Sequence, residues 1–383
     1  MISPKTREGL RTWIEVDKAA IKKNYEAFRK LIPKHSKLMA VVKSNAYGHG
    51  LVDFSENITK LGIDWLGVDS VVEGLTLRKE GVTLPILVLG FTLPEMLDLA
   101  VENNISLTVS HSYLLEQIQK KTFAKKLKVH IKVDTGMHRQ GFLESDREYL
   151  LSLLTACKDK IEIEGLYTHF ATAKDPSSLE YTCGQIDMFK RWKEIFMKEG
   201  YSFLSHASAT AGTILFPEAH FDMVRVGAGL YGLWPSSKVR DSFQDTFELH
   251  PTLSWKTLVV ETKKISSGAF IGYDMSEKLV RDSVIGICPI GYWHGFPRYL
   301  SNTGVVLVKE KRCKILGRVS MDMIVIDLTD VSRVEIGDEV VIIGQSGGEE
   351  ITAYEFADMG NAPNPSHYEA ITRINPLIKK LYF

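Results

Sequence analysis

Short apolar segments, the first of them continuous over Leu38–Val42, alternate with amphipathic segments along roughly the first two thirds of the chain. Eight of the apolar segments are predicted strands: Leu38–Lys43, Trp65–Asp69, Ile86–Gly90, Ser106–Ser110, Lys128–Val133, Ile161–His169, Phe203–Ala207 and Met223–Val226. Unbroken apolar runs are typical of parallel strands covered on both faces. Between them, Val71–Lys79, Pro94–Glu102 and Gln185–Lys198 have helical spacing. The pattern predicts an α/β fold with a TIM (β/α)8 barrel, and an open doubly wound sheet is the alternative.

The pattern becomes β-rich from residue 244 onwards. Strands are predicted at Leu253–Ile265, Ser283–Pro289, Gly304–Val308, Cys313–Leu316, Met323–Leu328 and Glu339–Gly344, and one helix is predicted at Thr352–Met359. Turn signals separate several of these strands. We therefore expect an N-terminal strand within 1–12 that pairs with the β-domain, a barrel over 13–243, and a mainly-β domain over 244–383.

Composition narrows the function classes. Among 383 residues, 47 basic side chains balance 47 acidic ones, which disfavours nucleic acid or an anionic membrane as partner. The N-terminus lacks the apolar core of a signal peptide, so a cytoplasmic location is expected. The four cysteines, Cys157, Cys183, Cys288 and Cys313, are widely separated. Reduced thiols are expected rather than disulfides or zinc ligands.

Candidate chemistry begins at Lys43, which ends the first apolar strand and is followed by Ser-Asn-Ala-Tyr47-Gly-His-Gly. Burial lowers the pKa of a lysine and makes it a nucleophile. A neutral lysine amine can condense with the aldehyde of pyridoxal 5'-phosphate and later act as a base. The simpler interpretation is a strand-terminal lysine whose amine reaches solvent.

Two further segments carry the same chemistry. Met-Val-Arg225-Val-Gly227-Ala228-Gly-Leu-Tyr-Gly contains the last predicted barrel strand and the turn after it, where glycines let backbone amides approach an anion. Ala-Phe-Ile-Gly-Tyr273-Asp-Met-Ser-Glu lies in the β-rich region. Together with the Lys43 segment, they resemble the alanine racemases, and the resemblance extends from Trp13 to the C-terminus.

The resemblance implies a pyridoxal phosphate enzyme with active sites shared across a homodimer, acting on a small amino acid. It makes Lys43 and the partner's Tyr273 the catalytic bases. The implied cofactor contacts are Lys43, Tyr47, His169, Thr210, Arg225, Gly227, Ala228 and Tyr368. Arg139 and Met321 are the implied substrate-carboxylate contacts, Lys132 is a candidate for carbamylation, and Tyr292, Arg298, Arg318 and Asp322 form the implied substrate entrance.

Racemisation removes a proton from one face of the α-carbon and delivers one to the other face, so two opposed bases are expected. The resemblance places Arg225 at the pyridine nitrogen of the cofactor. A permanent cation there disfavours protonation of that nitrogen and weakens the electron sink. Simple return of the proton would then be favoured over transamination or elimination.

Several positions depart from the family's usual pattern. Thr210 replaces a serine, Ala209 an amide residue and Lys174 an acidic residue, while Ser366 stands at an apolar position and Asp-Met-Ser-Glu follows Tyr273. Alanine remains the expected substrate, with D-alanine supplied for peptidoglycan. A serine or broader-specificity racemase, a non-catalytic pyridoxal phosphate-binding protein and a fold-related decarboxylase are the alternatives. No spacing around His169 or His206 supports a metal site.

Overall fold

The computed structural model describes residues 7–361 and 365–383. The chain divides into two units. The barrel unit comprises Ala19–Ala46 and Leu51–Pro251, and the sheet unit comprises Met1–Lys18, Tyr47–Gly50 and Thr252–Phe383. Strand β1 covers Thr12–Val16 and lies in the sheet unit. Residues 1–6 of the predicted N-terminal strand lie outside the described residues, and the boundaries 13–243 and 244–383 stay predictions.

Eight parallel strands close the barrel. They are β2 (Lys37–Val41), β3 (Trp65–Val68), β4 (Ile86–Val88), β5 (Ile105–Val109), β6 (Leu127–Lys132), β7 (Ile161–Tyr167), β8 (Leu204–His206) and β9 (Met223–Val226). Each pairs with the next, and β9 returns to β2. The predicted TIM barrel is confirmed, with strand ends within a few residues of those expected. The open doubly wound sheet is wrong because the first and last strands are paired.

Helices alternate with the barrel strands. Their bounds are Lys18–Leu31, Leu51–Lys60, Val71–Lys79, Leu97–Glu102, Ser112–Lys120, Arg147–Ala156, Leu179–Lys198, Thr210–Leu215 and Ser237–Phe243. The first buries Ile21, Asn24 and Phe28, spaced three and four residues apart, so one face packs inward. Ser70 caps the third by accepting from the Glu73 amide. Inside the barrel, Met39, Trp65, Leu87 and Met223 form a buried cluster.

The sheet unit contains the remaining strands. These are β10 (Leu253–Leu258), β11 (Glu261–Ile265), β12 (Phe270–Ile271), β13 (Glu277–Lys278), β14 (Ser283–Cys288), β15 (Val305–Val308), β16 (Lys311–Leu316), β17 (Ile324–Asp327), β18 (Glu339–Ser346), β19 (Glu349–Ile351) and β20 (Lys379–Tyr382). Two helices, Ala353–Asp358 and His367–Thr372, accompany them. The main sheet has the order β11-β14-β17-β16-β15-β18-β10-β1-β20, with β19 on β18. The predicted mainly-β character of this region is confirmed.

Strand β1 lies between two distant parts of the chain in this sheet. It pairs antiparallel with β10 and parallel with β20, where Trp13 is opposite Lys379. Its apolar residues Trp13, Ile14 and Val16 are fully buried. The single strand predicted over Leu253–Ile265 is two strands, β10 and β11. The two-stranded β12–β13 hairpin was not predicted, because two-residue strands show no periodicity.

Candidate active site

Lys43 follows β2 after one residue, Val42, and begins a short turn, Lys43–Tyr47, of left-handed backbone. Ser44, Asn45, Ala46 and Tyr47 have φ values of 56°, 57°, 50° and 52°. Such a run is uncommon for L-residues, and it turns the chain sharply as the strand ends. The Lys43 side chain is 38% exposed, and Nζ donates to Oδ1 of Asp69 at 3.3 Å. The lysine expected to be buried is therefore half-buried and ion-paired.

Asp69 and Glu73 were missed by the sequence reasoning. The carboxylate of Glu73 accepts from the amide of Ser44 at 2.8 Å and from the amide of Asp69 at 2.7 Å. One side chain therefore binds the loops that follow β2 and β3 together. Asp69 comes directly after β3, and considering the residues at every strand end would have identified it.

Arg225 in β9 is buried, and its guanidinium donates to neutral groups. Nη2 donates to the carbonyls of Thr168 (2.8 Å) and Ala207 (2.9 Å) and to Nδ1 of His169 (3.2 Å), and Nη1 donates to Nδ1 of His206 (2.8 Å). Burial lowers the pKa of Arg225 to about 10, so the cation persists at neutral pH. Within residues 7–361 and 365–383, no carboxylate is ion-paired with it.

His169 is a half-buried neighbour of this guanidinium. Loss of solvent contact, followed by the charge of Arg225, holds the pKa of its imidazole well below the ordinary value. The imidazole is therefore neutral, and its Nδ1 is free of a proton because it accepts from Arg225. A neutral ring of this kind can stack on an aromatic cofactor.

Lys132 and Arg139 belong to the same part of the barrel unit. Lys132 Nζ donates to Gln140 Oε1 at 3.0 Å and lies 5.4 Å from the centre of the Tyr167 ring. Desolvation, together with the positive charges of Arg225 and Arg139, lowers the pKa of Lys132 to about 7. A substantial fraction of this buried amine is therefore neutral at physiological pH. The Arg139 side chain itself is exposed.

A tight backbone turn, Gly227 to Gly229, follows Arg225. The amide of Gly229 donates to Thr210 Oγ1 at 3.3 Å, and both Thr210 and Ala228 are buried. A Cβ on Gly229 would lie 2.3 Å from the Phe28 ring, so glycine is required there. The predicted anion contacts Thr210, Gly227 and Ala228 are thus brought together.

In the sheet unit, Tyr47 and Tyr368 are neighbours. Their ring centres are 6.5 Å apart at an angle of 66°. Burial raises the pKa of Tyr47 to about 12 and raises that of Tyr368 further, so both phenols keep their protons. Gly48 beside them has a φ of 89°, and a Cβ there would lie 2.3 Å from the Ile371 carbonyl oxygen.

Tyr273 stands at the tip of the β12–β13 hairpin, and its side chain is 69% exposed. Asp274 and Met275, which follow it, have left-handed φ values of 57° and 50°. Asp274 Oδ2 is paired with Arg318 Nε at 3.1 Å. The Asn302 side chain also supports the loop by donating to the Ser276 carbonyl at 3.0 Å.

The other predicted entrance residues lie in exposed parts of the sheet unit. The amide of Tyr292 donates to the carbonyl of Ser320 and that of Trp293 to the carbonyl of Met321, each at 3.0 Å. Tyr292 and Met321 therefore lie on adjoining turns. Arg298 and Asp322 are exposed.

Metal-binding clusters and membrane-spanning helices would each indicate a different class of function. Among the described residues, no three His, Cys, Asp or Glu side chains are grouped so that they could hold a metal ion. No helix in the described parts of the chain is both long and apolar enough to cross a bilayer.

Comparison with known proteins gives a consistent result. Residues 16–235 match the family described as "Alanine racemase, N-terminal domain", and residues 252–382 match "Alanine racemase, C-terminal domain". The chain is 38% identical over 379 residues to an alanine racemase of Symbiobacterium thermophilum, covering 98% of each chain. It is 39% identical over 373 residues to one of Methanococcus maripaludis, covering 97% of this chain and 98% of the other.

Solved structures agree with this match. The crystal structure of alanine racemase from Bacillus anthracis with bound L-Ala-P superposes with a TM-score of 0.91 at 34% identity, covering 97% of this chain and 95% of that one. Alanine racemase from E. faecalis gives a TM-score of 0.88 at 31% identity, covering 97% and 98%. The motifs, the barrel and these matches together establish that the chain belongs to the alanine racemase family.

Proposed function

We propose that this protein interconverts L-alanine and D-alanine with pyridoxal 5'-phosphate bound through Lys43, using Lys43 and the partner subunit's Tyr273 as opposed bases. The observation that carries the proposal is Arg225. It is a buried cation held by neutral acceptors, as expected of a group that faces an aromatic nitrogen rather than a substrate anion.

The described residues fit the cofactor. Thr210 and the Gly227–Ala228 backbone form a turn suited to a phosphate, and Tyr47 and Tyr368 keep phenolic protons that can donate to one. His169 presents a neutral ring. Pyridoxal phosphate supplies an electron-withdrawing ring that stabilises negative charge at the α-carbon of a bound amino acid.

The chain's own residues would divide the remaining work. Arg139 has the planar guanidinium that suits a carboxylate, and we assign it and the Met321 backbone to the substrate carboxylate. Lys43 takes the α-proton on one face and Tyr273 on the other. Arg225 keeps a positive charge where a proton would otherwise bind, which favours return of the proton over transamination.

Lys132 is assigned as a carbamylated residue beside Arg139. Carbamylation needs a neutral amine, and desolvation lowers the pKa of this lysine to about 7. The product would be an anion among the positive charges of Arg225 and Arg139, where a protonated lysine is disfavoured. Labelling with ¹³C-bicarbonate and ¹³C NMR would detect the carbamate, and its absence from Lys132→Ala protein would assign it.

The proposal includes a homodimer because Tyr273 of each subunit is assigned to the active site of the other subunit. Its side chain is exposed in a single chain, as are Phe270 and Met275 on the same hairpin. Tyr292, Arg298, Arg318 and Asp322 would form the substrate entrance. Supply of D-alanine for peptidoglycan and a cytoplasmic location stay predictions.

The test combines cofactor binding with turnover. Purified protein should absorb in the near-visible range, and borohydride should attach the cofactor covalently to Lys43, which peptide mass spectrometry can locate. In deuterated water, each L-amino acid is then followed for loss of the α-proton and for chirality. Exchange with inversion is expected for alanine. Exchange without inversion, or failure to bind the cofactor, would contradict the proposal.

A further inference from the structure

A row of polar side chains extends from Arg225 through the buried interior of the barrel. Arg225 Nη1 is 2.8 Å from His206 Nδ1, and His206 Nε2 is 2.9 Å from His130 Nδ1. His130 Nε2 is 3.5 Å from Oε2 of Glu164. Strands β9, β8, β6 and β7 each contribute one member, and both histidines are fully buried.

The protons in this row have one possible arrangement when both imidazoles are neutral. A guanidinium only donates, so Nδ1 of His206 accepts and its proton is on Nε2. That proton is donated to Nδ1 of His130, whose own proton is then on Nε2 and directed at Glu164. Burial lowers the pKa of both histidines, most strongly that of His206, where the charge of Arg225 adds to the effect. Every donor in the row therefore points away from Arg225 and towards the carboxylate.

The strands make room for this row. A Cβ on Gly165 would lie 2.1 Å from His130 Nδ1, so the imidazole occupies the space that a side chain would need. The β6–β7 register shifts at Val129 and His130, next to this glycine. The Tyr167 ring lies flat on His206, with centres 4.6 Å apart and an angle of 5°. Each imidazole can therefore take only a narrow range of positions.

Glu164 is held at the far end of the row. Ser106 Oγ donates to Oε2 at 2.5 Å, and Lys128 Nζ is 3.4 Å from Oε1. Among the described residues, no group meets hydrogen-bond geometry with His130 Nε2, and the Glu164 carboxylate lies 3.5 Å from it. The carboxylate therefore acts on this buried N–H through its charge rather than through a hydrogen bond.

We infer that Glu164 is a positioning residue for Arg225, which it orients and polarises through His130 and His206. This inference rests on the proposed function, in which Arg225 faces the cofactor. A carboxylate at one end of a hydrogen-bonded row makes each successive nitrogen a better acceptor, so the guanidinium is held more tightly. Direct contact between the carboxylate and the guanidinium would offset the positive charge that faces the ring nitrogen. Two intervening imidazoles keep it away.

The test compares Glu164→Gln with Glu162→Gln, which removes an exposed carboxylate from the same strand. In histidine-selective ¹⁵N NMR of the holoenzyme, both His130 and His206 should be neutral with the proton on Nε2. Glu164→Gln should shift the resonances of His206 as well as those of His130, although Glu164 does not touch His206. Glu162→Gln should shift neither.

Kinetics give the second measurement. Glu164→Gln should lower kcat about tenfold in both directions, the size of loss seen when a residue that hydrogen-bonds to a metal ligand is removed. KM should be nearly unchanged, and the rate of transamination should rise relative to that of racemisation. Glu164→Asp, which keeps the charge, should recover most of kcat. In a His130→Gln background, Glu164→Gln should have little further effect. Unchanged His206 resonances with kcat within about twofold of the parent would overturn the inference.

The inference can still be tested if Glu164→Gln does not fold or if the parent protein binds no cofactor. If Glu164→Gln does not fold, Ser106→Ala removes one hydrogen bond from Glu164 without changing any charge, and it should change the same quantities less. A lack of response at His206 in that variant, with Glu164→Asp behaving like the parent, would also count against the inference. If the parent binds no cofactor, the proposed function fails, while NMR of the cofactor-free protein still tests the row.

Discussion

The segments that carry the two proposed bases, Lys43 and Tyr273, both contain left-handed backbone, but different contacts stabilise that backbone in each. Both bases adjoin left-handed backbone, which costs roughly 1–2 kcal/mol per residue for L-amino acids. After Lys43 the left-handed residues follow a barrel strand whose residues Leu38–Ala40 are fully buried. After Tyr273 they belong to a two-stranded hairpin with exposed side chains.

The two supports differ in kind. In the barrel unit, the Glu73 carboxylate accepts the Ser44 amide of the Lys43 loop and the Asp69 amide of the neighbouring loop after β3. In the sheet unit, the Tyr273 loop is supported by the exposed Asp274–Arg318 ion pair and by the Asn302 amide. Exposed ion pairs contribute only about 0–1 kcal/mol. The comparison indicates one base fixed by its own fold and another that depends on what covers it.

The largest expected effect comes from Lys43→Ala. It removes the proposed attachment point and one base together, so racemisation should fall by at least about 10⁴-fold. Borohydride should no longer attach the cofactor to the chain. Lys60→Ala, at an exposed helix end, is the matched control and should behave like the parent. Substantial activity in Lys43→Ala would remove the basis of the comparison.

Tyr273→Phe should have the next largest effect. Loss of one base should lower racemisation by about 10²–10⁴-fold in both directions. We assign Lys43 to the α-proton of D-alanine, so D-alanine should still exchange that proton with deuterated solvent. Tyr149→Phe removes the phenol of another exposed tyrosine and serves as control. Equal loss of exchange from both enantiomers would contradict the assignment of opposite faces.

Changing the Asp274–Arg318 pair should give a smaller, directional effect. Asp274→Gly keeps the left-handed backbone available and removes the carboxylate, so it separates the ion pair from backbone strain. We expect about a two- to fivefold loss of kcat, with a larger α-deuterium isotope effect from L-alanine than from D-alanine. Asp330→Asn, which breaks the exposed pair with Arg281, is the control. Equal isotope effects would show that the pair does not position Tyr273.

The smallest effect is on the free energy of unfolding, and it tests the desolvation of Lys132 in the barrel unit. Desolvation lowers the pKa of Lys132 from 10.5 to about 7. Between these values the unfolded chain holds a proton that the folded protein has released, so the free energy of unfolding should rise with pH. Urea unfolding between pH 7 and about 10, in carbonate-free buffer, measures the slope. Lys132→Met should flatten it, and an unchanged slope would contradict the shifted pKa.

The barrel could be predicted because its strands are separate segments, most of them apolar, and burial on both faces leaves that mark in the sequence. The left-handed turn could not, since Ala46 and Tyr47 have no local preference for positive φ. The contacts that hold it, such as Glu73 on Ser44, join residues far apart in the chain. Family resemblance supplied most candidate site residues without their geometry.

The row behind Arg225 shows a different limit. His130 and Glu164 lie in strands that contain several polar residues, and this polarity was visible in the sequence. That His130 and Glu164 are neighbours in space could not be predicted from the sequence, because this depends on the β6–β7 register and on the space left by Gly165. Polar interruptions of a barrel strand therefore point to a functional interior, while their partners must come from the structure.

The position of β1 between β10 and β20 has a consequence for synthesis on the ribosome. All eight barrel strands lie between Lys37 and Val226, so their residues are complete before Leu253 of β10 is added. Until then β1 lacks both strand partners, and its Trp13 and Ile14, buried in the finished sheet, stay unpacked. The nascent chain therefore carries an unpaired apolar strand throughout assembly of the barrel, which exposes it to aggregation. The second partner, β20, begins only at Lys379.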